Sequence, residues 1–300
     1  MPSLVGSEMC IRDRISIFMK LSLSSHLLVY SDLQSPSLKA LAEGGVPQLE
    51  LWLAEPHVPW RNAERLSAFK QQLDDFGLTV PSVHLPFYPS VPQLINDNAR
   101  WSVIDASESQ RRIAIDGAAQ GLAAAATLGA ECAVLHLGWQ QDDWDAHSYG
   151  WSREAVSELM VVAKKVGVRL LLENIISPGT RVSKLMELLD EVDPHGEVGI
   201  CLDLGHANIE GDVAAELLLA MPRLDHIHLH DNDGSEDAHL CPGSGTIAWP
   251  QVMNLLQDNG FDGYAALELR DYSRGEHTAA QIIDKHFQQS ADFIEQWYKK

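Results

Sequence analysis

The chain is poor in positive charge. Its 300 residues hold 22 Lys plus Arg against 42 Asp plus Glu, a formal net charge of −20. Such a field repels a phosphate backbone, so nucleic acid is an unfavourable partner unless a local basic groove is built. No run approaches the ~18 apolar residues of a membrane span, so no membrane partner is expected. The four cysteines (Cys10, Cys132, Cys201 and Cys241) show no C-x-x-C spacing. That pattern points to a reduced, cytoplasmic protein rather than a disulfide framework. Neither G-x-G-x-x-G nor G-x-x-x-x-G-K-[ST] occurs, which weakens a nucleotide-binding open sheet. No Pro/Ser-rich linker divides the chain, and 45% hydrophobic residues suffice for one large core.

Residues 1–18 stand apart from the rest. Their opening, MPSLVGSEMCIRDR, resembles translated sequencing-adapter sequence, and the segment is expected to be a disordered, non-native leader. A signal peptide is the rival reading. The apolar run ISIFM is too short for one, since a signal needs roughly 7–15 such residues. Met19 is the expected start of a domain running to residue 300.

What is present is alternation. Strand-like runs fall at 21–30, 48–53, 79–85, 132–138, 168–174, 198–204, 224–230 and 264–270. Amphipathic, helix-like stretches separate them, among them 62–77, 109–129, 152–167 (opening on a Ser152 cap) and 278–300. Strands alternating with helices predict a parallel sheet, and eight such units predict a closed α/β (β/α)8 TIM barrel. An open doubly wound sheet is the alternative.

In such a barrel, reactive groups project from the C-terminal strand ends. Residues two apart on a strand share a face. Six consecutive strands end in a group able to bind metal: His84, His136, Glu173, Asp203 with His206 just past it, His228, and Glu268. The stretch HIHLHDNDGSEDAH (226–239) puts His226, His228 and His230 on one face and Ile227 and Leu229 on the other. Leu172, Leu202, Leu204, Leu267 and Leu269 would likewise face the helices. Any one of these groups alone reads as a core histidine or a helix cap. Together they are costly to bury unless they are paired or bind a cation. Imidazole and carboxylate donors without thiolate suit Zn²⁺, Mn²⁺, Fe²⁺ or Co²⁺.

From Met19 onward the chain resembles the xylose-isomerase-like barrel superfamily, on the motifs LLLEN, CLDLGHAN, HLHDNDGSEDAHLCPGSGTIAW and ALELR. That superfamily contains sugar and sugar-phosphate isomerases and epimerases alongside the endonuclease IV enzymes. The epimerase-type resemblance implies one divalent metal (Zn, Mn, Mg or Co) held by Glu173, Asp203, His228 and Glu268. It also implies that Glu173 and Glu268 are the catalytic acid and base. The endonuclease-type resemblance implies a three-zinc set that adds His84, His136, His206, Asp237 and His239, so one to three ions are expected.

Three features pull away from the endonuclease. Leu269 and Arg270 follow the final glutamate where that family has threonine and proline. The early motif reads HLPFYPS, and the net charge is acidic. The sugar side has a departure too: Gly234 and Gly179 stand where ketose 3-epimerases carry arginine and glutamate, so that particular reaction is not expected. The uncharacterised bacterial sugar-phosphate isomerase/epimerase group is the nearest resemblance.

The expected activity is therefore isomerisation or epimerisation of a small sugar, sugar phosphate or related polyol, by proton transfer through a metal-stabilised enediolate. His206, Arg270 and Trp139 are candidate substrate contacts, with Trp144 and Tyr88 as further pocket walls. For Arg270 the plainer alternative is pairing with Asp271 or Glu276. Competing functions are zinc-dependent cleavage of abasic-site DNA, a lyase or dehydratase of inositol-type ketones, and a barrel that binds without turnover. Nothing in the sequence argues against a homo-oligomer.

Overall fold

The computed structural model describes residues 19–31, 33–273 and 275–297. The expected leader over 1–18 lies outside the described residues. Eight parallel strands close in chain order: β1 (Lys20–Ser24), β2 (Gln48–Trp52), β3 (Thr79–His84), β4 (Cys132–Leu135), β5 (Arg169–Glu173), β6 (Gly199–Asp203), β7 (Leu224–Leu229) and β8 (Tyr264–Leu267). Closure is made by β1 on β8, from Lys20↔Tyr264 to Leu23↔Leu267. A closed barrel leaves no unpaired strand edge. No described helix is long and apolar enough to cross a membrane.

The period of two sorts the strands into two faces. Leu23, Leu51, Leu135, Leu172, Leu202, Ile227, Leu229 and Leu267 join the large core between sheet and helices, as do Leu204 and Leu269. Residues of the opposite parity (Cys132, Val134, Leu171 and Cys201) form a separate cluster inside the barrel. The inward face changes from apolar below to polar at the C-terminal end, and this gradient places the site.

The surrounding helices are α1 (Ser35–Glu43), α2 (Ala63–Asp75), α3 (Val91–Asp97), α4 (Glu108–Leu128), α5 (Ala146–Val166), α6 (Val182–Val192), α7 (Leu204–Glu210), α8 (Val213–Ala220), α9 (Trp249–Asp258), α10 (Ala279–Ile282) and α11 (Gln289–Glu295). A π turn, Ile283–Gln288, joins the last two. Helices α4 and α5 stop at Gly129 and Gly167, whose left-handed φ values of 82° and 74° close the last turn without a Cβ penalty.

Two local expectations are corrected. Helix α5 begins six residues before Ser152, because Asp145 forms a stronger start. Its carboxylate accepts from the backbone of His147 and Ser148, and Ser148 caps back. Ser152 is interior and bonds Ser148 O at 2.9 Å. The first strand stops at Ser24 rather than running to residue 30. The Ser24 hydroxyl accepts from His26 N and starts a short 3-10 turn, Ser25–Leu28. The Ser25 hydroxyl then takes the Trp52 backbone N–H at 2.8 Å.

Candidate metal centre

The strand ends bring the predicted acids and imidazoles into one buried group. His228 Nδ1 lies 2.8 Å from a Glu268 oxygen, 3.3 Å from Glu173 Oε1 and 3.7 Å from Asp203 Oδ2. Glu173 Oε2 faces the other way, 2.8 Å from His136 Nε2 and 3.2 Å from His84 Nε2. Asp203 Oδ2 also meets His230 Nε2 at 2.9 Å. Asp237 Oδ2 lies 2.9 Å from His239 Nε2 and 3.6 Å from His206 Nε2. The donor atoms gather into five compact sets among the described residues, each within 4.8 Å of itself, and three of them bear on the centre. Those three are His84, His136 and Glu173; Glu173, Asp203, His228 and Glu268; and His206, His230, Asp237 and His239. Glu173 belongs to two of them.

Local sequence explains the convergence. In LLLEN, the Asn174 side chain imitates a strand pairing: its Nδ2 donates to Asp203 O at 3.0 Å and its Oδ1 accepts from Asp203 N at 2.7 Å. In CLDLGH, Asp203 caps α7 by accepting from His206 N at 2.7 Å, which turns His206 back over the mouth. Gly205 is required there, because a Cβ would fall inside the ring of His230. A Gly205→Ala change should destabilise the barrel by about 1–3 kcal/mol, the usual cost of overpacking. Urea unfolding of the two proteins measures this directly.

The long loop after β7 is organised by Asp231, a fully buried acid that sequence reading passed over. One of its oxygens accepts from the backbone of Asn232 and Ile247. The other accepts from Gly243 N and from the Trp249 indole at 2.8 Å. A two-residue antiparallel bridge between Asp231 and Leu240 then folds the loop back, and this returns Asp237 and His239 to the mouth.

The imidazoles are aimed as metal-binding imidazoles are. His84 Nδ1, His206 Nδ1 and His239 Nδ1 each lie on a backbone carbonyl (of Leu85, Asn174 and Glu268) at 3.0, 2.8 and 2.7 Å. Each ring is thereby fixed with Nε2 toward the carboxylates. Charge follows geometry. Burial works to raise the pKa of Glu173, but His136 and His228 overcome it and hold the carboxyl well below the usual range. Burial likewise opposes ionisation of Glu268, yet His228 and His239 bring it down to about 2. Burial lowers the His239 imidazole, while Asp237 more than compensates and raises it to about 9. Asp203 and Asp237 are also depressed against burial, chiefly by His206 with His230 and by His239 with His206. The site is a set of buried anions that requires positive charge, from protons or from a cation.

Other candidates are placed as follows. Trp139 packs on Phe87, with ring centres 5.2 Å apart, and its indole donates to Trp101 O; Arg100 lies over its ring. Tyr88 is buried against Trp52 and Phe87. Trp144 turns elsewhere, donating to Trp139 O and filling the space over Gly179, beside a cavity of about 430 Å³ between α5 and α6. Arg270 is half-buried, with its guanidinium over the Tyr272 ring.

Sequence reading also missed His26 and Glu50. His26 stands on the turn after β1, 3.8 Å from Glu268, its ring tilted 45° against that of Trp52. Burial, followed by His239, pushes its pKa down to about 3, so it is neutral. Glu50 lies one layer deeper, against His226 and His228. Its signal was present, as the one inward acid in QLELWL.

A parallel barrel with buried acids and imidazoles at its C-terminal strand ends defines a class of (β/α)8 proteins, here with groups that could hold a metal ion. The chain belongs to the xylose isomerase-like TIM barrel family, whose model matches residues 38–297. An uncharacterized protein of Methanocaldococcus jannaschii is 26% identical over 280 residues, 89% of this chain and 90% of the relative. A putative hydroxypyruvate isomerase of Streptomyces coelicolor is 25% identical over 256 residues, 81% of this chain and 86% of that protein. Among solved structures, the IolI protein with a bound zinc atom superposes with a TM-score of 0.75 at 18% identity, covering 93% of this chain and 99% of that one.

Proposed function

We propose that the protein is a divalent-metal-dependent isomerase or epimerase that moves a proton on a small sugar, sugar phosphate or related polyol. The observation that carries this is the ionised pair Glu173 and Glu268 flanking one imidazole nitrogen, with Asp203 completing four buried donors. The family and the isomerase among its relatives support the same reaction class. The donor set fits a divalent ion: hard oxygens and tautomer-fixed imidazoles, with no thiolate at the mouth. When bound, such an ion supplies Lewis-acid polarisation of a substrate carbonyl and acidifies the neighbouring C–H.

The chain's own groups do the rest. Glu173 and Glu268 come from β5 and β8, three strands apart around the barrel, and so approach a substrate from different sides. Both start ionised, so one accepts the substrate proton and releases it to water, while the other takes a proton from water and delivers it to the substrate. His136 and His84 hold the second oxygen of Glu173 and set its orientation. Trp139 and Phe87 offer an apolar wall suited to the C–H face of a sugar. Arg270 and His206 are the substrate's polar contacts, with Arg270 suited to a phosphate or carboxylate.

Two measurements test this together. Elemental analysis of the loaded protein should give one manganese, magnesium, cobalt or zinc per chain. Incubation with a panel of sugars in heavy water should show exchange at a carbon next to a carbonyl. A second reading, phosphodiester hydrolysis, is favoured by the bridging position of Glu173 and by the His206–Asp237–His239 group. Three zinc ions per chain, with nicking of an abasic duplex and no exchange, would replace the first reading with the second.

A further inference from the structure

Below the acids that face the mouth, the barrel holds another polar layer. Glu50 Oε2 receives His226 Nε2 at 2.7 Å and the Ser82 hydroxyl at 2.9 Å. Glu50 Oε1 lies 3.1 Å from His228 Nε2. All four residues are completely excluded from solvent. An ionised carboxylate so deep costs several kcal/mol in desolvation unless donors surround it. Here Ser82 of β3 and His226 of β7 donate to Oε2, and the His228 imidazole, the next inward rung of β7, lies against Oε1.

We propose that Glu50 is the positioning residue of the centre: its Oε1, 3.1 Å from His228 Nε2, keeps the proton on that nitrogen and turns Nδ1 toward the space between Glu173, Glu268 and Asp203, where it can give its lone pair to a cation. The assignment follows from a contrast within the site. His84, His206 and His239 anchor Nδ1 on a main-chain carbonyl and present Nε2. His228 is reversed: it presents Nδ1, and its other nitrogen faces a carboxylate from across the barrel. A carboxylate accepts more strongly than a carbonyl and makes the opposite nitrogen a better donor. His226 and Ser82 hold Glu50 from its other oxygen, which fixes the plane in which His228 must lie.

The neighbouring Cys201 thiol, with His226 and His228, also forms a compact donor group. Burial pushes that thiol well above its ordinary range, so it stays protonated and is no thiolate ligand. The layer therefore serves the centre above it.

The inference rests on the metal reading for its consequence, but not for its geometry, and the test separates the two. Imidazole-nitrogen NMR of the metal-free wild type should show the His228 Nε2 proton as a protected, low-field resonance. Its absence overturns the assignment whatever the metal does. In Glu50→Gln that resonance should move or vanish, and Zn²⁺ affinity measured by chelator competition should fall about 10–100-fold, the usual effect of removing such a partner. Glu50→Asp should recover part of the loss, which a merely space-filling role would not produce. Unchanged zinc affinity in a folded Glu50→Gln protein overturns the proposal. A wild type that binds no divalent ion, yet shows the proton and loses it in Glu50→Gln, sinks the metal reading and leaves the positioning intact.

Discussion

Glu268→Gln and Glu173→Gln are each expected to lower solvent exchange of substrate hydrogen by about 10²–10⁴-fold, the range for a positioned acid or base. Each amide keeps an oxygen able to contact a cation, so metal content should fall much less than rate. The reason is specific to this pair. Both carboxylates are ionised despite burial, Glu268 with a pKa of about 2, and an amide cannot accept the substrate proton. Quenched-flow mass spectrometry of deuterium incorporation, alongside elemental analysis of the same samples, separates lost chemistry from lost metal. Exchange at the wild-type rate in both variants would end the proton-transfer mechanism.

Zinc should raise the melting temperature, and the increment should grow from pH 6.5 to about 9. Burial lowers each imidazole, but Asp203 and Asp237 raise His206 well above its ordinary value. Glu268, Glu50 and Glu173 do the same for His228, and Asp237 brings His239 to about 9. A raised folded-state pKa stabilises the metal-free protein fully below the unfolded value near 6.5, and that stability is lost as pH climbs through the folded value. The depressed acids work oppositely. Their contribution is present above about 4.5 and is lost as pH falls, through about 2 for Glu268. As pH climbs toward the raised folded values, about 9 for His239, the imidazoles shed the protons that neutralised the acids, and zinc takes their place with less competition. At a free zinc concentration about 1,000 times Kd, the gain is on the order of 4 kcal/mol. Calorimetric scans with and without zinc at the two ends of this window read the effect. An increment that shrinks with rising pH would contradict it.

Much of this was legible in the chain. The alternation of runs specified a barrel, and strand parity picked out Glu173, Asp203, His228 and Glu268 as inward groups. Positions set by side-chain hydrogen bonds were not legible. Ser152 resembles a helix cap, but Asp145 lies upstream with a better one. LSSHLLVY reads as continuous strand, yet the Ser24 hydroxyl turns it and delivers His26 to the mouth. Beyond its inward parity, Glu50 carries no local signal of its role, because its partner His226 sits 176 residues away on β7 and Ser82 lies on β3. Asp231 was hidden by the histidines around it, and its role appears only when the backbone of Asn232, Gly243 and Ile247 and the Trp249 indole are seen to donate to it.

That loop has a consequence for the proposed centre. Two of the three donor groups are assembled from separate strands and depend on the whole barrel for their alignment. In the third, His230, Asp237 and His239 ride on β7 and a single excursion pinned by one carboxylate, and His206 alone comes from outside. A few substitutions between residues 231 and 247 could therefore delete or restore a metal position without disturbing any strand. On the proposed metal reading, the number of ions this protein holds would be decided by one segment anchored on Asp231 rather than by the barrel itself.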